Sequence, residues 1–404
     1  MRSALLASTL AVVLVASLTT YAGPPGASQG RPSVASGSAA APRAFPAKTA
    51  DGWRVSGHDG VRGVTIGPIE NAYHPGVGYG SPAYARTLDE CVRAGATWVA
   101  LTPFGRVGDL RGRGVDPTFE QPYAKNRADV ARAVEMAHAR GLSVMLVPHL
   151  WVESGEWRAK IDPGTDAGWA AWIDSYSRFV KGWAQVAEAA RVDLLSAGVE
   201  LRSWVTTPRA ASFAALVREL RTIYKGPITY SANWDDVEHT LVLGELDVIG
   251  VNAFYPLADK DGAPFDALLE GGKRVQEKVK ALAETWQRPV MFTEIGYTTR
   301  RDPAIRPWEW PDEMKNVHVD ERAQADAYRA LLAPLLDEKR FMGFFVWRVY
   351  ADPDDVSQEA EWGFSPRGKL AELVMRDAFA ATWAADVTRP KGWSRRAMTP
   401  GLYP

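Results

Sequence analysis

A chain of 404 residues, 46% hydrophobic and 24% charged, has ordinary globular composition and length for one large domain or two small ones. Its formal net charge of −1 leaves no electrostatic footprint for nucleic acid or an anionic membrane and suits a neutral polymer as partner. A single cysteine, Cys91, excludes an intrachain disulfide, so stability rests on the core, and within the apparent helix over 88–92 that thiol reads as a small buried apolar residue rather than a nucleophile.

At the N-terminus Arg2 precedes an apolar run over 4–18 and small residues around Ala22. This is the layout of a secretory signal peptide over 1–22; the run is too short and too rich in Ser and Thr for a membrane span, with an uncleaved anchor as the alternative. It predicts a secreted or cell-envelope protein. Residues 23–52, rich in Gly, Pro, Ala and Ser, cannot build a packed core and read as a flexible tether. The folded domain is expected over 53–388, followed by an aperiodic tail over 389–404.

Eight apolar runs predict strands at 61–67, 97–103, 143–149, 193–200, 228–233, 246–252, 290–294 and 342–347. Runs such as SVMLVPHL and FMGFFVW are continuously apolar, as burial on both faces of a parallel sheet demands. Amphipathic segments lie between them. Asn126 reads as an N-cap before the stripe Val130, Ala133, Val134 and Ala137, with Gly141 ending that helix; Tyr328, Leu331, Leu332 and Leu335 repeat the spacing after Asp320. Eight strand–helix repeats predict an α/β fold, a single-domain (β/α)₈ TIM barrel. The rival is a doubly wound open sheet, which usually carries a glycine-rich phosphate loop after its first strand; GVTIGPIENAYHPGVGYG holds no GxGxxG. The longest connections, 150–164, 295–319 and 349–366, follow strands three, seven and eight, at the end where such barrels place their sites.

Strand four ends in Ala197-Gly198-Val199-Glu200 and strand seven in Phe292-Thr293-Glu294. An ionised carboxylate after an apolar run costs several kcal/mol, on the order of known burial penalties, unless something pairs with it. Two across one barrel mouth point to opposed roles, one protonated and one ionised. Glycoside hydrolysis uses that pair: an acid protonates the leaving oxygen while a carboxylate attacks the anomeric carbon. The competing explanation is two structural glutamates, each paired with an arginine such as Arg202 or Arg348.

Sixteen tryptophans add to the case. Trp151, Trp204 and Trp234 follow strands three, four and five; Trp308, Trp310 and Trp362 sit in long loops; Trp347 closes strand eight. A rigid indole face suits the C–H face of a pyranose, whereas Trp98, Trp172 and Trp183 read as core. His149, Asn233, Asn252 and Tyr255 end strands three, five and six and can hydrogen-bond hydroxyls, and a tyrosine hydroxyl close to Glu294 would hold it ionised. No HExxH, no cysteine pair and no tight acidic cluster occurs, so neither metal nor cofactor is expected; the acidic stretch at 352–355 lacks EF-hand spacing and reads as a solvated loop. There is also no G-x-S-x-G nucleophile elbow.

GVELRSW at 198–204, FTEIGYTT at 292–299 and GFFVWRVYADP with the later WGFSPRGK resemble glycoside hydrolase family 113, as do GVTIGPI and KNRADVARAVEMAHARGLSVMLVPHLWV. The resemblance covers most of 60–385. It implies a retaining barrel glycosidase, of a clan with catalytic glutamates after strands four and seven, acting within β-1,4-mannan. It implies Glu200 as acid/base, Glu294 as nucleophile, and Tyr255 as the strand-six residue touching the nucleophile. A polysaccharide or oligosaccharide is the expected partner and a monomer the expected state. Val199 departs from the pattern: much of the clan has Asn there, contacting the sugar 2-hydroxyl, so the choice between manno and gluco substrates stays open, with Asn233 or His149 as substitutes. A non-catalytic glycan-binding barrel, which keeps the tryptophan rim without needing both acids, is the alternative function.

Overall fold

All eight predicted runs form strands in the computed structural model, which describes residues 60–68, 76–311, 314–336, 338–354 and 359–380. The expected signal peptide, tether and C-terminal tail lie outside the described residues. The strands are β1 (Val61–Gly67), β2 (Trp98–Leu101), β4 (Ser143–Leu146), β6 (Leu194–Val199), β7 (Ile228–Asn233), β8 (Ile249–Asn252), β9 (Val290–Ile295) and β10 (Phe341–Tyr350). They close into one parallel barrel in chain order, β10 returning to β1. Two further strands, β3 (Phe104–Val107) and β5 (His149–Val152), pair with each other in parallel. They continue strands two and three past Pro103 and Pro148, residues with no N–H to give to a ladder. That continuation carries His149 and Trp151 past the end of the barrel strands.

The helices are α1 (Pro82–Arg93), α2 (Tyr123–His138), α3 (Asp166–Ala189), α4 (Arg202–Val205), α5 (Ala210–Ile223), α6 (Phe265–Trp286), α7 (Glu321–Leu335) and α8 (Leu370–Phe379). Ser81, Thr165 and Asp320 cap α1, α3 and α7 by accepting from backbone N–H groups of the first turn. Asn126 is not a cap. It lies buried inside α2, where its amide donates to Glu120 at 2.8 Å. The fifth repeat also departs from expectation, since two single 3₁₀ turns, Val237–His239 and Leu243–Glu245, stand where a helix was expected. The connection from Asn233 to Ile249 carries these two turns in place of a helix.

Strand alternation sorts the apolar side chains into two cores. Val61, Trp98, Ala100, Met145, Leu194, Val199, Met291, Met342 and Phe345 all come from strands and fill the barrel. Their neighbours Val99, Leu101, Val144 and Leu146 face outward and pack in the larger core with the helices. Two glycines make the β1–β10 seam possible. A Cβ on Gly63 would meet the Phe345 ring at 2.2 Å, and one on Gly343 would meet the Val61 carbonyl oxygen at 2.0 Å. Gly343 also has φ +121, a conformation that side chains disfavour.

Candidate active site

The two glutamates are presented by backbone irregularities. On β6 the pairing with β7 shifts between Ser196 and Val199, and Glu200 follows with φ 51, a left-handed conformation uncommon outside glycine. Its N–H still bonds the Ser231 carbonyl at 2.9 Å, while the next N–H, of Leu201, donates to the Tyr230 hydroxyl at 2.6 Å. The twist is therefore held from both sides. On β9 the register against β8 steps from Val251–Phe292 to Asn252–Glu294, leaving Thr293 as an extra residue, the local signature of a bulge.

Both carboxyl groups are buried. Asn252 donates from Nδ2 to Glu200 Oε1 at 3.0 Å, and it stands in register with Glu294, whose pKa its amide pulls down. Thr293 donates its hydroxyl to Asn252 Oδ1 at 2.9 Å. Glu200 Oε2 accepts the indole N–H of Trp157 at 2.7 Å, and Arg158 Nη2 lies 3.4 Å from the same oxygen. Glu294 is pushed up to about 8, first by burial and then by the negative charge of Glu200, against the pull of Arg158, Arg348 and Asn252. Burial and the neighbouring charge therefore favour the protonated form of Glu294. His149 Nε2 stands 3.5 Å from Glu294 Oε1. Burial, then Arg158, then Arg348 hold that imidazole well below its ordinary pKa, so it faces the carboxyl uncharged.

The arginines named as structural partners are engaged elsewhere. Arg202 holds Asp236 through Nε at 2.8 Å and Asp235 through Nη2, and its guanidinium lies 4.7 Å over the Trp157 ring. Burial pushes Asp236 up to about 6. Arg348 donates to the Tyr350 hydroxyl at 2.9 Å and covers the Trp347 ring at 4.8 Å. Trp157 and Arg158 were not anticipated from the sequence. They sit in the aperiodic connection after β5, and an indole beside an arginine there was the only signal.

The aromatic rim divides. Trp234 is half-buried and stacks on Trp308 with ring centroids 5.3 Å apart and planes 24° apart. Trp308 and Trp151 are 47% and 46% exposed, open faces at the rim. Trp347 is buried beside His149, the rings 6.1 Å apart. Trp362 is half-buried and its indole N–H donates to the Pro311 carbonyl at 3.0 Å. Asn233 donates to Asp235 at 2.6 Å, close to Trp234. Trp204 is a correction: it is 1% exposed, sits in the short α4 and packs its ring against Phe213, Tyr176, Trp169 and Trp172 under the helix layer. Trp172 and Trp183 are core as expected, and Trp98 lies inside the barrel. Tyr255 is a second correction. Its ring packs on Trp234 and Phe292, and the hydrogen bonds among the described residues include none from its hydroxyl to Glu294. Burial, then Glu238, Asp235 and Asp236 keep that hydroxyl protonated. Among the described residues no three His, Cys, Asp or Glu side chains converge as a metal site requires.

The family model of Glycoside Hydrolase Family 113 matches residues 74–369. Among solved structures, the chain is similar to the family 113 β-mannanase of Alicyclobacillus acidocaldarius, determined in complex with ManMIm. Identity is 25%, the TM-score is 0.68, and the match covers 80% of this chain and 97% of the other. A second family 113 β-1,4-mannanase, at 22% identity and TM-score 0.67 over 79% of this chain and 98% of the other, shares the fold. So does the β-glucuronidase of Faecalibacterium prausnitzii, at 18% identity and TM-score 0.53 over 80% of this chain but 49% of its own length. Comparison with curated proteins finds no match. With a family match over most of its length and two buried glutamates at the mouth of its barrel, the chain belongs to glycoside hydrolase family 113.

Proposed function

We propose that the protein hydrolyses β-1,4-linked mannan with retention of anomeric configuration, Glu200 acting as acid/base and Glu294 as nucleophile. Glu200 donates its proton to the glycosidic oxygen as the C–O bond breaks, and the Glu294 carboxylate bonds to the anomeric carbon. Water, deprotonated by Glu200, then attacks that carbon and frees Glu294. The observation that carries this reading is the pair of buried glutamates ending β6 and β9, Glu200 held by the Asn252 amide and Glu294 in register with Asn252, with burial and the charge of Glu200 favouring a proton on Glu294. The reaction needs a singly protonated pair. Trp157, Asn252 and Arg158 all lie on Glu200, so the family's role assignment requires the proton to pass from Glu294 to Glu200 before attack. The donor set favours a second reading in which the two roles are exchanged.

The mannan preference is supported by the family and by its β-mannanase member from A. acidocaldarius. The open faces of Trp308, backed by Trp234, and of Trp151 suit stacking of sugar rings, and His149, Asn233, Trp347 and Trp362 are further candidates for contact with hydroxyls or ring faces. Reducing ends released from mannan, glucomannan and cellulose test the substrate. Binding to mannan without release would favour the glycan-binding alternative and overturn hydrolysis. The roles are tested with an activated aryl β-mannoside and azide. Glu200→Ala is expected to keep its first step and form the β-glycosyl azide, whereas Glu294→Ala is expected to lose turnover and form the α-azide if rescued. The reverse pattern would exchange the two roles.

A further inference from the structure

We propose that Thr293 is a positioning residue that fixes the Asn252 amide, with its N–H₂ end toward the two glutamates; the inference rests on the two-glutamate reading above. In a regular strand, consecutive side chains point to opposite faces, so Thr293 and Glu294 could not both reach a residue of β8 inside the barrel mouth. The bulge removes that restriction. Because Thr293 has no counterpart on β8, both it and Glu294 stand against Asn252, Thr293 through its hydroxyl and Glu294 as the register partner.

Polarity along the chain of contacts is fixed from the carboxylate end. The Asn252 nitrogen lies 3.0 Å from Glu200 Oε1, and the amide oxygen faces Thr293. The Thr293 hydroxyl therefore donates. Asn252 and Thr293 are buried, so bulk solvent does not reach the amide oxygen. Without that hydroxyl, Asn252 Oδ1 would be a buried acceptor with nothing to accept, and rotation of the amide toward other donors would follow. The donor on Glu200 Oε1, which stands beside Glu294, would then lose its direction. The other charged and titratable groups facing the pair are Arg158 and His149 from the β5 side, Arg348 from β10, and Asp236 and Tyr230 from the β7 side. None of them touches Asn252 Oδ1.

Thr293→Val keeps the branched shape and removes only the hydroxyl, while Thr293→Ser keeps the hydroxyl. On mannan, Thr293→Val is expected to lower kcat by about tenfold with KM changed less than about twofold, as a misplaced catalytic group does. It is also expected to move the basic limb of kcat/KM against pH by about half a unit or more. Thr293→Ser is expected to restore the wild-type profile. A readout independent of turnover is the titration of Glu294, followed by ¹³C NMR of the full chain labelled at the glutamate carboxyl carbons and assigned by difference with Glu294→Gln. Its midpoint should move in Thr293→Val and stay in Thr293→Ser. Should Thr293→Val not fold, Thr293→Ala carries the same comparison. Superimposable pH profiles and titrations of the hydroxyl-free variant and the wild type would overturn the positioning role while leaving the two-glutamate reading intact. A wild type inert toward every β-glycan, with Glu294 still moving in the titration, would overturn that reading and keep the Thr293 contact.

Discussion

At Glu294 three contributions meet, and their order decides the behaviour of the site. Burial raises its pKa most, the Glu200 charge raises it further, and the cations Arg158 and Arg348 together with Asn252 only partly offset this, leaving it at about 8. Two consequences follow from the sign. In the proposed reaction the active pair holds one proton, so kcat/KM should fall as pH rises through about 8, where the pair becomes doubly ionised. A rate still rising at pH 9 would contradict this. Stability carries the same signature. A carboxyl whose folded pKa is raised contributes stability present below its unfolded pKa of about 4.5, and lost as pH climbs to about 8. Glu294→Gln keeps the shape of the neutral form and cannot ionise. Its melting temperature should match the wild type near pH 4.5 and exceed it by a widening margin, reaching a few degrees on the order expected for kcal-scale effects, up to pH 8. An unchanging difference across that range would mean that Glu294 does not titrate there. Trp157 adds a third residue-scale expectation: Trp157→Phe keeps most of the ring under Arg202 but removes the N–H on Glu200 Oε2, so activity should drop roughly tenfold or more with little loss of stability. Unchanged kcat in a folded Trp157→Phe would remove that contact from the mechanism.

At the scale of elements, the strands were legible and their irregularities were not. Each barrel strand is buried on both faces, and a continuous apolar run such as Ser143–Leu146 announces that directly. A glutamate ending such a run stands out, which is why Glu200 and Glu294 are legible in the sequence as candidates. The bulge at Thr293 is not, because an unpaired residue exists only relative to its neighbouring strand. Trp204 was misread for a related reason. A tryptophan four residues after Glu200 looks like rim, but the single turn of α4 swings it beneath α3 and α5. The two kinds of tryptophan separate cleanly by measurement. Trp204→Ala opens a cavity among four rings and should cost about 3–5 kcal/mol of stability, read by denaturant unfolding. Trp308→Ala, half exposed, should leave stability within about 0.5 kcal/mol and raise KM for the glycan instead. If Trp308→Ala left KM on oligosaccharides unchanged, the stacked pair with Trp234 would be excluded as a sugar platform.

For the whole molecule, closure is the property on which the site depends. Glu200 and Glu294 sit on strands separated in the ring by β7 and β8, so their meeting is fixed by barrel curvature rather than by any local contact. That curvature exists only if β10 returns to β1, through a seam where Val61 faces Gly343 and Phe345 fills the space left by Gly63. The family match begins at residue 74, beyond β1, and ends at 369, before α8. A chain trimmed to 74–369 would therefore lack the strand that joins β2 to β10, leaving two unpaired edges and an opened interior. It would also lack Phe379, stacked on Phe344 at 5.7 Å behind β10. The trimmed chain is expected to show no cooperative thermal transition and no activity, although both glutamates and every rim tryptophan remain in it. Cooperative melting with hydrolysis by 74–369 would show that the site needs only an arc of the barrel. Gly343→Ala tests the same seam in the full chain. The added Cβ must displace the Val61 backbone, so a loss of roughly 2–4 kcal/mol in unfolding free energy is expected, with the strain localised by faster amide exchange in β1 and β10.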